Sequence, residues 1–251
     1  MMAAPRLFVD DDLGEGNEIR LDKQRSHYLR SVMRLNAGAS VRLFNGRQGE
    51  WRSQIADAGK SVTLKVEENR RAQQQATELW LVFAPIKKDR MDFLIEKATE
   101  LGVSDLLPVI TRRTIVSRVN TDRLKAQVIE ASEQCERLDI PTVHEAVKLS
   151  DLKTAWPDDR VAFVLDEAGS GGSAAVAMSG KTGCPAACIS GPEGGYEKSE
   201  LDLLRTLPNF VPVSLGPRIL RAETAALTSL AIWQSVCGDG GVPPVSQALR
   251  D

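Results

Sequence analysis

Hydrophobic and polar positions change their period part-way along the chain. Near the start, Val41-Arg-Leu-Phe44, Trp51-Arg-Ser-Gln-Ile55 and Ser61-Val-Thr-Leu-Lys-Val66 are short runs with partial alternation. Asn45-Gly46 and Ala58-Gly59-Lys60 are turn signals between them. Leu7-Phe-Val9 adds a further strand. This pattern predicts a small β-barrel or sandwich in residues 1–72. The polar run Arg70-Arg-Ala-Gln-Gln-Gln-Ala-Thr77 reads as a linker.

After it, strands and helices alternate through residues 73–251. Leu79–Ala84 is a buried strand, and Asp89 to Leu101 a helix with Met91, Leu94, Ile95, Ala98 and Leu101 on one face. Leu106–Ile110 is strand-like, with Pro108 arguing for an edge or an irregularity. Helices are expected over Asp122–Leu138, Ser199–Leu207 and Ala222–Val236. Strands are expected at Val161–Leu165, Ala186–Ile189 and Phe210–Ser214. Strands separated by helices predict a parallel α/β sheet. The chain therefore reads as α/β with a β-rich front part.

Charge sharpens the division. Net charge is −2 over 251 residues, yet Arg20 to Arg52 holds eight basic and two acidic residues. A basic front part on an acidic protein suggests a module for a polyanion. The longest charge-free stretch, Thr224 to Gly238, suits a buried helix and is too short to span a bilayer. No basic start leads into an apolar segment, so no signal peptide and no membrane are expected, and the location expected is the cytoplasm. Four spread cysteines do not make a disulfide scaffold. Only two histidines exist, His27 and His144, so no multi-histidine metal site fits one chain, and no metal is expected.

Three glycine-bearing loops follow the last three strands: Asp166-Glu-Ala-Gly-Ser-Gly-Gly172, Ser190-Gly-Pro-Glu-Gly-Gly195 and Leu215-Gly-Pro-Arg-Ile-Leu-Arg-Ala-Glu-Thr224. Loops at the carboxyl ends of parallel strands form the ligand crevice, and glycines let the backbone approach a ligand. Two nucleotide motifs nearly match. Gly169-x-Gly171-x-x-Ala174 lacks the long helix and acidic-ended strand of a dinucleotide site, and Gly180-Lys181-Thr182 lacks the upstream glycine of a P-loop. Both are rejected.

Ile189-Ser-Gly-Pro-Glu-Gly-Gly195 with Ser214-Leu-Gly-Pro-Arg-Ile-Leu-Arg-Ala-Glu-Thr-Ala-Ala226 resembles the carboxyl-terminal signature of the RsmE family. The resemblance extends through Glu96-Lys-Ala-Thr-Glu-Leu-Gly-Val103, Arg113 and Glu130–Arg137, and back to Pro5-Arg-Leu-Phe8 and His27–Leu35. It covers nearly the whole chain. Glu136 stands where many relatives have glycine, and Leu149 to Cys184 departs from the family pattern. The resemblance implies a PUA-like β-barrel followed by a SPOUT α/β domain with a trefoil knot. It implies a homodimer whose Ala222, Ala225, Ala226 and Ala231 permit close helix approach. The implied activity uses S-adenosyl-L-methionine to methylate N3 of a uridine in small-subunit ribosomal RNA within an assembled subunit.

The resemblance also implies roles. Leu165, Gly191, Pro192, Glu193, Gly194, Gly195, Leu215, Gly216, Ile219 and Leu220 would bind the cofactor. Arg221 would stabilise the negative charge that develops when uridine N3 loses its proton, since a guanidinium stays cationic. Arg6 and Arg113 are the second choices, as RNA-positioning or catalytic groups, and Arg30 and Arg34, four apart on one expected helix face, as phosphate contacts. Glu193 is the only general base that suggests itself, and its glycine loop fits cofactor binding as well. A nicotinamide-dependent oxidoreductase and a non-catalytic RNA-binding or assembly protein are the rival classes.

Overall fold

The computed structural model describes residues 4–59, 61–74, 77–116, 118–166 and 171–244. Packing divides the chain into two units. The first is Met1–Gln75 with Ser132–Ile140 and Pro243–Asp251; the second is Ala76–Ala131 with Pro141–Val242. A single cut after residue 72 does not describe this division, because residues 132–140 group with the N-terminal strands.

In the first unit, five strands follow the order Arg6–Phe8, Ser40–Phe44, Glu50–Asp57, Thr63–Arg71, Glu18–Arg20. Only the pair Arg6–Phe8 with Ser40–Phe44 is parallel. Alternate residues turn inward, so Leu43, Ile55, Leu64 and Val66 meet in one core. The Glu18–Arg20 strand carries a single buried residue, Ile19, and leaves no alternation to read.

Asp22 starts the following helix, Lys23–His27, by accepting the Arg25 N–H at 2.8 Å. The turn then widens into a π-helix at Tyr28–Val32. Arg34 lies beyond its end with φ +55°. The regular helix expected to carry Arg30 and Arg34 on one face is therefore not formed, and their same-face relation does not hold.

Eight parallel strands make the sheet of the second unit. Five carry it, in the order Phe210–Ser214, Val161–Leu165, Ala186–Ser190, Leu79–Phe83, Asp105–Ile110. The strand Asp105–Ile110 contains Pro108, and its outer side explains why that is tolerated. Two-residue strands pair with Asp105–Leu106 and with Val109–Ile110, leaving the proline in the gap between them. The apolar core runs through Val82, Leu107, Ala162, Val164, Ala187 and Ile189. Helix Ala222–Val236 lies against the sheet, with Trp233 buried beside Phe163 at 5.6 Å between ring centres. Among the described residues, no helix is long and apolar enough to cross a membrane.

Candidate active site

Three neighbouring strands, Val161–Leu165, Ala186–Ser190 and Phe210–Ser214, end on the same edge of the sheet because all run parallel. Their exit segments enclose a cavity of about 380 Å³, within the range of small-ligand sites. Leu165 and Asp166 form one wall, residues 190–193 with Gly195 and Tyr196 a second, and residues 213–222 a third. Glu167 to Ser170, the middle of the first glycine loop, lie outside the described residues.

The backbone requirements at two glycines are explicit. Gly195 has φ +68°, in the left-handed region, and its N–H bonds to the Pro192 carbonyl at 2.9 Å, closing the turn. A Cβ on Gly191 would stand 2.8 Å from the Tyr196 ring. A side chain at either position disturbs the loop.

Of the residues assigned from sequence to cofactor binding, Leu165, Gly191, Pro192, Glu193, Gly195, Leu215, Gly216, Ile219 and Leu220 all line the cavity. Gly194 does not. Its carbonyl instead accepts from Arg113 Nη1 at 2.7 Å, so Arg113 braces the glycine loop from outside. Ile219 is 97% exposed on the cavity's third wall.

Arg221 is the N-cap residue of the helix Ala222–Val236 and is exposed at the cavity. Its side chain does not pair with Glu223. That carboxylate meets Arg90 Nε at 3.7 Å, leaving Arg221 without an ion pair among the described residues. Arg218 also lines the cavity. A helix of 15 residues pointing its N-terminus at the cavity adds positive potential there.

Comparison with known proteins decides what this cavity belongs to. A model of the RNA methyltransferase domain matches residues 73–234, and one of the RNA methyltransferase PUA domain matches residues 21–67. The ribosomal RNA small subunit methyltransferase E of Rickettsia conorii is 36% identical over 90% of this chain and 93% of its own. The chain belongs to the RsmE family. RsmE relatives of known structure share the fold closely. The enzyme of Neisseria gonorrhoeae, bound to S-adenosyl methionine, is 27% identical with a TM-score of 0.81, over 94% of this chain and 99% of its own. A Legionella pneumophila methyltransferase in complex with the same cofactor is 28% identical with a TM-score of 0.82, over 92% and 97% of the two chains. This RsmE chain is thus a PUA domain followed by an α/β RNA methyltransferase domain, and an S-adenosylmethionine-dependent ribosomal RNA methyltransferase.

The expectation for Arg6 changes, because its side chain is turned away from solvent. It is 6% exposed, donates to the Glu50 carboxylate at 2.5 Å and to the Ser132 carbonyl at 2.7 Å, and lies 3.6 Å over the Phe44 ring. Its guanidinium is committed inside the first unit, where burial pulls its pKa below the usual value against the opposing pull of Glu50. The small residues of the last helix face different surroundings. Ala226 is fully buried in the core, whereas Ala222 and Ala225 line the cavity.

Arg90 and Asp166 also line the site without having been picked out as site residues from the sequence. Arg90 sits in an amphipathic helix, Lys88–Glu100, where a cation reads as surface charge. Only the fold brings it to the loops.

Proposed function

We propose that the cavity binds S-adenosyl-L-methionine and that the chain methylates N3 of a uridine in small-subunit ribosomal RNA. The observation that carries this is the meeting of the second and third predicted loops with Leu165 and Asp166 around one cavity, with Arg221, free of ion pairs among the described residues, at the start of the helix behind it.

The residues suit the cofactor. Leu165, Leu215, Ile219 and Leu220 offer apolar surface for an adenine ring, and the Gly191 and Gly195 turn brings backbone close without side chains in the way. When bound, the cofactor supplies an already activated methyl group on a sulfonium. The protein's work is to align the acceptor and exclude water. Uridine N3 is protonated at neutral pH and takes part in base pairing, so the base must be unpaired or flipped to reach the cavity. Arg221 and the helix N-terminus then face the negative charge that spreads over N3 and its flanking carbonyl oxygens. Glu193 is held by Arg90 at 3.4 Å, which favours a role in fixing the loop over one as general base.

The same proposal includes the trefoil knot, a homodimer, an assembled subunit as substrate and a cytoplasmic location. Half-exposed Phe93 and partly exposed Val236, on two helices that pack together in the second unit, supply apolar surface for a second copy. The PUA domain would hold RNA through phosphates, using Arg30 and Arg34, both exposed. Mass spectrometry of small-subunit ribosomal RNA from a strain lacking the protein tests the activity. Loss of one 3-methyluridine is expected. An unchanged methylation pattern, with cofactor binding intact in the purified protein, would instead identify a non-catalytic RNA-binding or assembly protein.

A further inference from the structure

We propose that Arg90 is a positioning residue that locks the cofactor loop to the start of the catalytic helix, so that binding and alignment depend on one guanidinium. The inference rests on the reading of the cavity as the S-adenosylmethionine site and adds a residue to it.

Arg90 lies in the helix Lys88–Glu100 and reaches two separate segments. Its Nη1 meets Glu193 Oε1 at 3.4 Å, in the glycine loop, and its Nε meets Glu223 Oε1 at 3.7 Å, in the first turn of the helix Ala222–Val236. The residue itself lines the cavity. These two segments are the second and third walls of the site, and no backbone hydrogen bond joins residues 191–197 to residues 215–225. The Ser190 hydroxyl does donate to the Ala222 carbonyl at 3.3 Å, but from the strand end, ahead of the loop.

Burial makes the helix arm the stronger one. Glu223 is 8% exposed, and its second oxygen, Oε2, is buried without a partner. A carboxylate so placed is costly unless a cation accompanies it. Arg90 is the cation that does. Removing it leaves a buried charge one residue beyond Ala222 and two beyond Arg221, and the first turn must shift to rehydrate it. The Glu193 arm is more exposed, at 26% for the side chain, so solvent screens it more. The helix arm should therefore govern alignment of Arg221, and the loop arm should govern closure of the glycine loop on the cofactor.

This division predicts a pattern that a merely stabilising ion pair would not produce. Kinetics with the full chain and ribosomal subunits, plus calorimetry with S-adenosylmethionine, read it out. Glu193→Gln should raise the cofactor KM roughly three- to fivefold, more than it alters kcat. Glu223→Gln should lower kcat about tenfold or more, more than it alters KM, since a small misplacement at the reacting centre is costly. Arg90→Met should do both. Arg90→Lys keeps a charge but loses the fork, and should recover one parameter better than the other. Should Arg90→Met fail to fold, the lysine variant carries the test.

Wild-type KM and kcat in Arg90→Met, or a lowered melting temperature alone, would overturn the positioning role. So would equal effects of Glu193→Gln and Glu223→Gln on both parameters. Wild-type protein that fails to bind S-adenosylmethionine would overturn the underlying reading as well, which separates the two failures.

Discussion

Arg218 and Arg221 both line the cavity, three residues apart, and the sequence motif does not rank them. Position does. Arg221 precedes the helix by one residue, where its charge adds to the helix's own positive end. Arg221→Ala should cut single-turnover methyl transfer by roughly 10²–10³ while shifting cofactor affinity far less. A loss of that size in Arg218→Ala, with Arg221→Ala within a few-fold of wild type, would move the catalytic role to Arg218. A second residue-scale effect concerns Cys188, fully buried on the central strand. Burial pushes its thiol from 9.0 up to about 12, with a hydrogen bond to Ser229 acting the other way. The unfolded chain then loses this proton first, so the protein loses stability as pH rises from about 9 toward 12, by about 1.4 kcal/mol per unit at most. Thermal melts of Cys188→Ala against wild type across that window should show a shallower decline in the variant. Parallel declines would mean that the thiol does not contribute.

At the scale of elements, the turn at residues 192–195 decides whether the loop can close. Gly195→Val forces a β-branched residue to φ +68°, where only glycine sits without strain. Calorimetry should show the affinity for S-adenosylmethionine reduced at least tenfold. Undiminished affinity would take this turn out of the cofactor site. The helix behind it was legible in the sequence: Ala222–Val236 is uncharged over most of its length and begins after a loop rich in glycine and proline. So were the longer strands of both sheets, whose apolar runs are bounded by turn residues, but not the short ones at Glu18–Arg20, Thr142–Val143, Val147–Lys148 and Gly172–Ser173. The widened turn at Tyr28–Val32 was not. Its sequence carries helix-compatible residues, and the change from an i−4 to an i−5 hydrogen bond leaves no trace in residue type. Arg90 was equally hidden, because helical periodicity says which face a residue occupies and nothing about what that face meets. At Glu136 the backbone has φ +62°, the left-handed conformation that favours glycine after a helix. Here Glu136 accepts that conformation and bonds to Arg42 at 3.0 Å.

For the whole molecule, charge separates the two tasks. The basic excess lies between Arg20 and Arg52, in the first unit, whereas the cavity belongs to the second. Replacing Arg30 and Arg34 with Ala should weaken RNA binding and reduce the log–log salt slope by about 0.7–0.9 for each lost phosphate contact. Cofactor affinity should stay as it was. An unaltered slope in a folded variant would place the RNA elsewhere. Composition could suggest a polyanion partner, but only the three-dimensional arrangement shows that Arg6, Arg42 and Arg71 are turned inward around Glu50 and are not available to it.

That inward cluster has a practical consequence for anyone dividing the gene. Arg6 needs the carbonyls of Ser132 and Arg137, the Phe8 N–H needs Glu133, and Arg42 needs Glu136. All four acceptors are encoded 55 to 60 codons past the end of the polar linker, inside the stretch that reads as catalytic. A fragment ending at the linker would carry buried cations with their partners missing, and the remaining fragment would display those partners to water. The barrel is completed only after the ribosome has made more than half of the chain, so its final form must await synthesis of Ser132–Ile140, the last turn of helix Thr121–Cys135 and the residues after it.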